Sequence, residues 1–261
     1  MSAPTRSEER AEGSRAATCS TFIAYSGGVE STTMLMLFGH KGTPIFTDTG
    51  WEHKALYDWL EKVEEKTGHK ITRVQPKETL PQMIKRQGVF PSPMMRYCTR
   101  MAKIEPMDRF LKDKTPCELM IGLNYDERDR TGNHGLVEGV TYSYPLIDLK
   151  ITRQDCVDAL KAHDLYPQFP AYMRRGGCVG CFYKSKNEYY RMARESPEEA
   201  YEVAKIEEEL NADPARQKYF GVRDGIKNMR AFLDNARAQT ELELNDDQHA
   251  PMTPCGVFCN R

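Results

Sequence analysis

Apolar residues fall in short runs divided by glycine, proline and polar residues, and their spacing changes along the chain. The run TFIAY from Thr21 is followed by SGGVES (Ser26 to Ser31) and then by the apolar stretch TTMLMLF, a pattern that predicts strand, glycine turn and helix. A second strand, TPIFTDTG, ends in polar residues. After it, Trp51, Leu56, Trp59, Leu60 and Val63 recur at helical spacing up to a capping Gly68. KITRVQP reads as a third strand, ELMIGLN as a fourth, and TYSYPLIDL as a late strand or an extended lead into the next helix. Strands alternating with helices imply a parallel sheet covered by helices on both faces.

Beyond Leu149 the period is helical, in ITRQDCVDALKAHDL and in KSKNEYYRMARESPEEAYEVAKIEEELN, with a Pro, Gly and Cys-rich loop from Tyr166 to Tyr183 between them. The expected organisation is a disordered leader over 1–18, a nucleotide-binding α/β domain over 19–150, a helical region carrying a CxxC loop over 151–240, and a mobile Cys-containing tail over 241–261. The helix segment KIEEEL reads as a solvent face. No internal repeat is found.

The chain has 261 residues, 39% of them hydrophobic and 29% charged, enough for one sizeable core plus an appendage. The net charge of −1 provides no overall field that would collect nucleic acid or an anionic membrane, so such a contact needs a local patch. No apolar run approaches the roughly 20 residues that cross a bilayer, and the first twenty residues lack a hydrophobic signal core, which predicts a soluble cytoplasmic protein. In a reducing compartment the eight cysteines point to metal binding or thiol chemistry rather than to disulfides.

SGGVES has the context of a phosphate loop. Glycines between a strand and a helix let backbone N–H groups approach an anion, and the helix N-terminus adds about half a positive charge. Ser26 and Ser31 can donate hydroxyl hydrogen bonds, while Gly27 and Gly28 can adopt angles closed to residues with a β-carbon. An ordinary tight strand-to-helix turn has the same composition, and the other blocks of the chain weigh against it.

SGGVES is similar to the SGGxDS signature of the adenine nucleotide α-hydrolase superfamily, or PP-loop ATP pyrophosphatases. Glu30 stands where most members carry Asp, keeping the carboxylate but moving it out by one methylene. TDTGWEHKALYDWL, with Thr47, Asp48, Thr49 and Gly50, resembles the segment after the second strand of phosphoadenosine phosphosulfate reductases. RYCTRMAKIEP, GLNYDERDR and SYPLIDLKITRQDCVDALKAHDL resemble three further blocks of that family in the same order, covering roughly residues 21 to 190. The resemblance implies an adenine nucleotide, ATP or an adenylyl sulfate, held at Ser26, Gly27, Gly28, Glu30, Ser31, Asp48, Thr49, Gly50, Gly122 and Arg130. It also implies Mg²⁺ on the phosphates and catalytic cations at Arg100 and Lys103.

Cys178 and Cys181 form a CxxC in a glycine-rich loop, and the resemblance adds Cys98 as a third ligand of a [4Fe–4S] cluster. Tyr97 stands where cluster-bearing reductases have a paired cysteine. Cys255 or Cys259 could complete the set, or one iron could stay open. Structural zinc, a redox pair and plain thiols are the alternatives, and Cys19, Cys117 and Cys156 read as inert. PCGVFC echoes the Cys-Gly near the C-terminus of sulfonucleotide reductases, which makes Cys255 a candidate nucleophile. Arg96, Arg100, Lys103, Arg128 and Arg130 could converge on a polyanion. Arg174, Arg175, Lys184 and Lys186 with Phe182 and Tyr183 form either a nucleic-acid patch or, preferably, a solvated rim. None of the six histidines has metal spacing or an evident acid partner.

The expected chemistry is sulfur transfer, with ATP cleaved between its α- and β-phosphates to adenylate an acceptor, a nucleic acid or a small molecule, before thiolation. The alternatives are a sulfonucleotide reductase that releases sulfite and a non-catalytic nucleotide-binding module. The implied partners are a sulfur-donor protein or a thioredoxin-like reductant, with no membrane, and a homodimer is one candidate assembly.

Overall fold

In the computed structural model, residues 19–131, 137–212, 226 and 228–238 are described. Strand β1 (Ser20–Tyr25) is followed by helix α1 (Val29–Phe38), strand β2 (Thr43–Thr47), helix α2 (Lys54–Thr67) and strand β3 (Thr72–Val74). Next come helices α3 (Leu80–Gln87) and α4 (Tyr97–Thr99), a π-helical turn at Arg100–Ile104, and helix α5 (Glu105–Lys112). Strand β4 (Cys117–Ile121) leads through a 3₁₀ turn at Tyr125–Arg130 to strand β5 (Val140–Ser143), helix α6 (Pro145–Asp148) and helix α7 (Arg153–Ala162). The chain continues into helices α8 (Lys186–Glu195), α9 (Pro197–Leu210) and α10 (Met229–Ala238). None of the described helices is long and apolar enough to cross a membrane.

The sheet is parallel throughout, in the order β3-β2-β1-β4-β5. From β1 the chain steps outward through β2 to β3, then returns across the sheet to β4. Right-handed crossovers put the connections of the two directions on opposite faces. Ile23 and Tyr25 accordingly share a core with Met34 and Leu35 of α1 and with Leu56 and Leu60 of α2. Phe22 and Ile45 face the other side with Met107 and Leu111 of α5 and Leu119 of β4. This double covering is why TFIAY reads as a continuous apolar run rather than an alternating one.

Helices α8, α9 and α10 extend the first of these cores, with Tyr189, Met192, Val203, Met229 and Leu233 fully buried. Burying one such side chain contributes about 2 kcal/mol. The KIEEEL segment is therefore not wholly a solvent face: Ile206 and Glu207 are buried, and the Glu207 carboxylate accepts the Met229 amide at 2.6 Å, capping the start of α10. Nor does Trp51 belong to α2. It lies in the preceding loop, where its carbonyl accepts the Val179 amide at 2.9 Å. The leader, Cys255, Cys259 and the rest of the expected tail lie outside the described residues.

Candidate functional site

The strand order reverses at β1, so the loops after β1 and β4 diverge and leave a crevice at the carboxyl ends of the strands. In open α/β sheets such crevices take ligands. The Ser26–Ser31 turn sits there. The Ser26 amide donates to Ser31 Oγ at 3.2 Å, Ser31 Oγ donates to the Gly28 carbonyl at 3.1 Å, and the two serine hydroxyls lie 3.1 Å apart. Gly27 has φ +75°, and a β-carbon there would lie 2.7 Å from Leu56 Cδ1, so the turn requires glycine at this position. Gly28 has ordinary extended angles and room for a β-carbon, so its backbone does not need the freedom expected from the sequence. The N-cap residue of α1, Gly28, has no side chain to cap the helix, and its own amide donates to Ser26 Oγ at 3.4 Å.

The loop after β2 is held by Asp48. Its Oδ1 accepts the Gly50 amide at 2.8 Å and the Tyr57 hydroxyl at 2.7 Å, and its Oδ2 accepts Gln75 Nε2 at 2.9 Å. Burial and this bond to a carboxylate both raise the Tyr57 phenol, keeping it a donor. Asp48 thus acts here as the clasp of its loop. Thr49 is buried and donates to Glu52 Oε1 at 2.8 Å.

On the other side of the crevice, a β-carbon on Gly122 would come within 3.3 Å of the backbone of Glu30 and Ser31, so glycine lets the α1 terminus lie against the β4 loop. Glu30 Oε1 pairs with Arg153 Nη1 at the start of α7 and accepts Asn124 Nδ2 at 3.1 Å. Arg130 pairs with Glu127, whose carboxyl burial raises against the pull of Arg130. Of the other predicted cations, Arg100 is 80% exposed beside Glu105, Arg128 lies over the Tyr125 ring, and Lys103 is half-buried in the π turn.

The CxxC loop docks on the β2–α2 loop. Glu52 and Cys178 form an antiparallel bridge, and Cys178 Sγ lies 3.4 Å from Thr49 Oγ1 and 3.5 Å from Glu52 Oε1. A β-carbon on Gly180 would sit 2.2 Å from the Trp51 ring, and the Tyr189 hydroxyl donates to the Cys181 carbonyl at 3.2 Å. Arg96 and Arg175 both lie over the Tyr183 ring, tying the Cys98 block to this loop. Cys98 is half-buried there. Among the described residues no group of three His, Cys, Asp or Glu side chains is arranged to hold a metal ion. Cys98, Cys178 and Cys181 as placed therefore do not surround a single ion such as zinc.

Lys184, read from sequence as part of a solvated rim, is 5% exposed, and burial lowers its ammonium against the attraction of Glu188. His53, read as lacking an acid partner, is fully buried with Nδ1 2.6 Å from Glu199 Oε2. The acid partner of His53 comes from α9, 146 residues away, too distant in sequence to be seen as a pair, whereas Glu188 of α8 is close to Lys184 in sequence and it is the burial of Lys184 that sequence does not show. Asn124, Arg153, Glu52, Tyr57 and Gln75 carry no motif that marks them in the sequence, yet each bonds to a residue of the crevice or its loops.

The family model for the phosphoadenosine phosphosulfate reductase domain matches residues 20–186. The chain belongs to this family. It is a family of nucleotide-binding enzymes. Among solved structures, the chain is similar to phosphoadenylyl-sulfate (PAPS) reductase from Candida auris in a phosphate complex, at 17% identity over 58% of this chain and 76% of that one, with a TM-score of 0.46. It is also similar to the U34-tRNA thiolase NcsA from Methanococcus maripaludis with its [4Fe–4S] cluster, at 15% identity over 93% of this chain and 80% of that one, with a TM-score of 0.45. No curated protein matches the chain.

Proposed function

We propose that this member of the family binds an adenine nucleotide in the crevice and uses it for sulfur transfer, cleaving ATP between its α- and β-phosphates. An acceptor oxygen attacks the α-phosphorus, the bond to the β-phosphate breaks, and pyrophosphate leaves. The adenylated acceptor is then open to displacement of AMP by sulfur. The observation that carries the reading is the Ser26–Ser31 turn, where Gly27 at φ +75° aims the α1 N-terminus, uncapped by any side chain, at the point where the strand order reverses.

In this reading the amides of Gly28 and of the first turn of α1 hold phosphate oxygens, with the Ser26 and Ser31 hydroxyls beside them. Asp48, held by three protein donors, shapes the loop over the nucleoside through Thr49 and Gly50. Mg²⁺ enters on the phosphates as part of the substrate. Arg100 has the exposure to swing onto the departing pyrophosphate, and Lys103 follows it on the same π turn, a feature common at functional sites. Cys255, outside the described residues, is the thiol assigned to sulfur delivery.

The test is to incubate anaerobically purified protein with ATP or with adenylyl sulfates and a thiol reductant, assaying pyrophosphate and sulfite. Pyrophosphate and AMP from ATP are expected. Sulfite from an adenylyl sulfate with no pyrophosphate from ATP makes the chain a reductase instead, and binding without either product leaves a non-catalytic nucleotide module.

A further inference from the structure

We propose that Arg153 is a polyphosphate-binding residue of the crevice, held in the ligand-free chain by Glu30 and released to the nucleotide when phosphates enter. The inference rests on the reading of the crevice as a nucleotide site. It starts from an arrangement that no motif marks. Glu30 is the second residue of α1, two positions after Gly28, so it belongs to the helix turn whose amides would receive a phosphate. Arg153 reaches that carboxylate from the first residue of α7, 123 positions away, and so stands one glutamate side chain from the anion site.

The two ends of the pair are held differently. The Arg153 backbone is fixed: its amide donates to Asp126 Oδ2 at 3.0 Å, and Thr152 and Asp155 form a capping box around it. Asn124, itself 2% exposed, holds Asp126 through its Oδ1 at 2.9 Å and bridges Glu30 and Glu127 through Nδ2 at 3.1 and 3.4 Å. The Arg153 side chain, by contrast, is 41% exposed, against 17% for Glu30. A guanidinium so exposed gains little from one screened carboxylate, and its planar fork suits a phosphate with two oxygens at least as well. Nearby Arg130 is paired in the same way with Glu127, so cations and carboxylates alternate across the switch point. An entering polyphosphate would replace carboxylates as the partner of these cations.

The experiment compares ATP, AMP and inorganic pyrophosphate binding, by calorimetry, in wild-type protein and in Arg153→Gln, Arg153→Lys and Glu30→Gln, with thermal melts alongside. Arg153→Gln is expected to weaken ATP and pyrophosphate tenfold or more while changing AMP less than about threefold. Glu30→Gln should tighten ATP several-fold, because it removes the competitor, and Arg153→Lys, which keeps the charge but loses the fork, should bind ATP more weakly than wild type and more tightly than Arg153→Gln. Equal loss of AMP and ATP in Arg153→Gln and Arg153→Lys, or unchanged ATP affinity in both, overturns the assignment and leaves the pair a structural brace. If wild-type protein binds no adenosine nucleotide, the nucleotide reading fails by itself and pyrophosphate still decides Arg153. Loss of pyrophosphate binding in Arg153→Gln then supports the assignment, while undiminished binding, or none in wild type, sinks it.

Discussion

The strand-end crevice and the cysteine loop are built in opposite ways, although the β2–α2 loop serves both. In the crevice, polar side chains meet at strand ends, and the Glu30–Arg153 pair leaves its cation two-fifths exposed. In the cysteine loop, Cys178, Val179 and Lys184 are buried, backbone bonds pin the loop to Trp51, and a ring covers Gly180. Groups held by exposed charges can exchange partners at little cost in stability. Groups held by packing cannot. Substitutions in the crevice should therefore be felt first in binding, and those in the cysteine loop first in folding.

The largest effect is expected from Gly180→Ala. Its β-carbon would lie 2.2 and 2.3 Å from two atoms of the Trp51 ring, and that ring is buried and anchored by an Nε1–H bond to Glu202 at 3.0 Å. The ring cannot turn aside, so overpacking should cost about 3 kcal/mol in urea denaturation. A loss below about 1 kcal/mol would mean that the loop docks more loosely than its contacts imply.

Next is Gly27→Ala, at about 2 kcal/mol for a residue forced to positive φ, part of which Leu56 could relieve by moving its methyl. Gly28→Ala is its counterpart. With extended angles and only Ser26 Oγ at 3.4 Å, it should cost under about 1 kcal/mol yet lower nucleotide affinity tenfold or more, since the new methyl stands at the amide cradle. Both substitutions acting only on stability would remove the anion from the turn.

Acid separates the two regions again. Burial holds His53 below its ordinary value of 6.5, outweighing Glu199, and among the described residues its Nε2 has no hydrogen-bond partner. Burial works to raise Glu199, but hydrogen bonds from His53, the Lys54 amide and Ser196 hold it below 4.5. Both groups therefore bind protons more readily in the unfolded chain. Stability should fall as pH drops below about 6.5, and further below about 4.5. Urea midpoints at pH 7.5, 6.5 and 5.5 should decline in wild type and flatten in His53→Gln. Parallel declines would place the titration elsewhere.

These regions also differ in how far the chain announces them. The β1 strand, its glycine turn and α1 are local in sequence, and TFIAY, SGG and TTMLMLF show them directly. The apolar spacing of Trp51 continues that of Leu56 and Trp59 and so mimics α2, whereas its carbonyl is committed to Val179. Helix α3 has only eight residues, so its period is short, although Thr79 and Gln82 form a capping box and Gly88 ends it. The pairs Glu30–Arg153, Cys178–Glu52 and His53–Glu199 are 123, 126 and 146 residues apart, so only the crossover topology brings them together. Lys184 looked like a rim residue because its charge is legible and the packing that buries it is not.

The smallest effect is expected at Gly177. It lies three residues before Gly180 in the same glycine-rich loop, but nothing stands within 4 Å of where its β-carbon would be, and its φ is not in the left-handed range. Its carbonyl accepts the His53 amide at a long 3.4 Å, a bond that a methyl on the α-carbon leaves intact. Gly177→Ala should therefore be neutral or stabilising by up to about 0.5 kcal/mol, because alanine narrows the unfolded ensemble without strain in the folded one. Measured beside Gly180→Ala, it asks whether the loop needs glycine for flexibility or for the approach of a ring. A cost at Gly177 comparable to that at Gly180 would favour flexibility, whereas a neutral result places the requirement at the contact with Trp51.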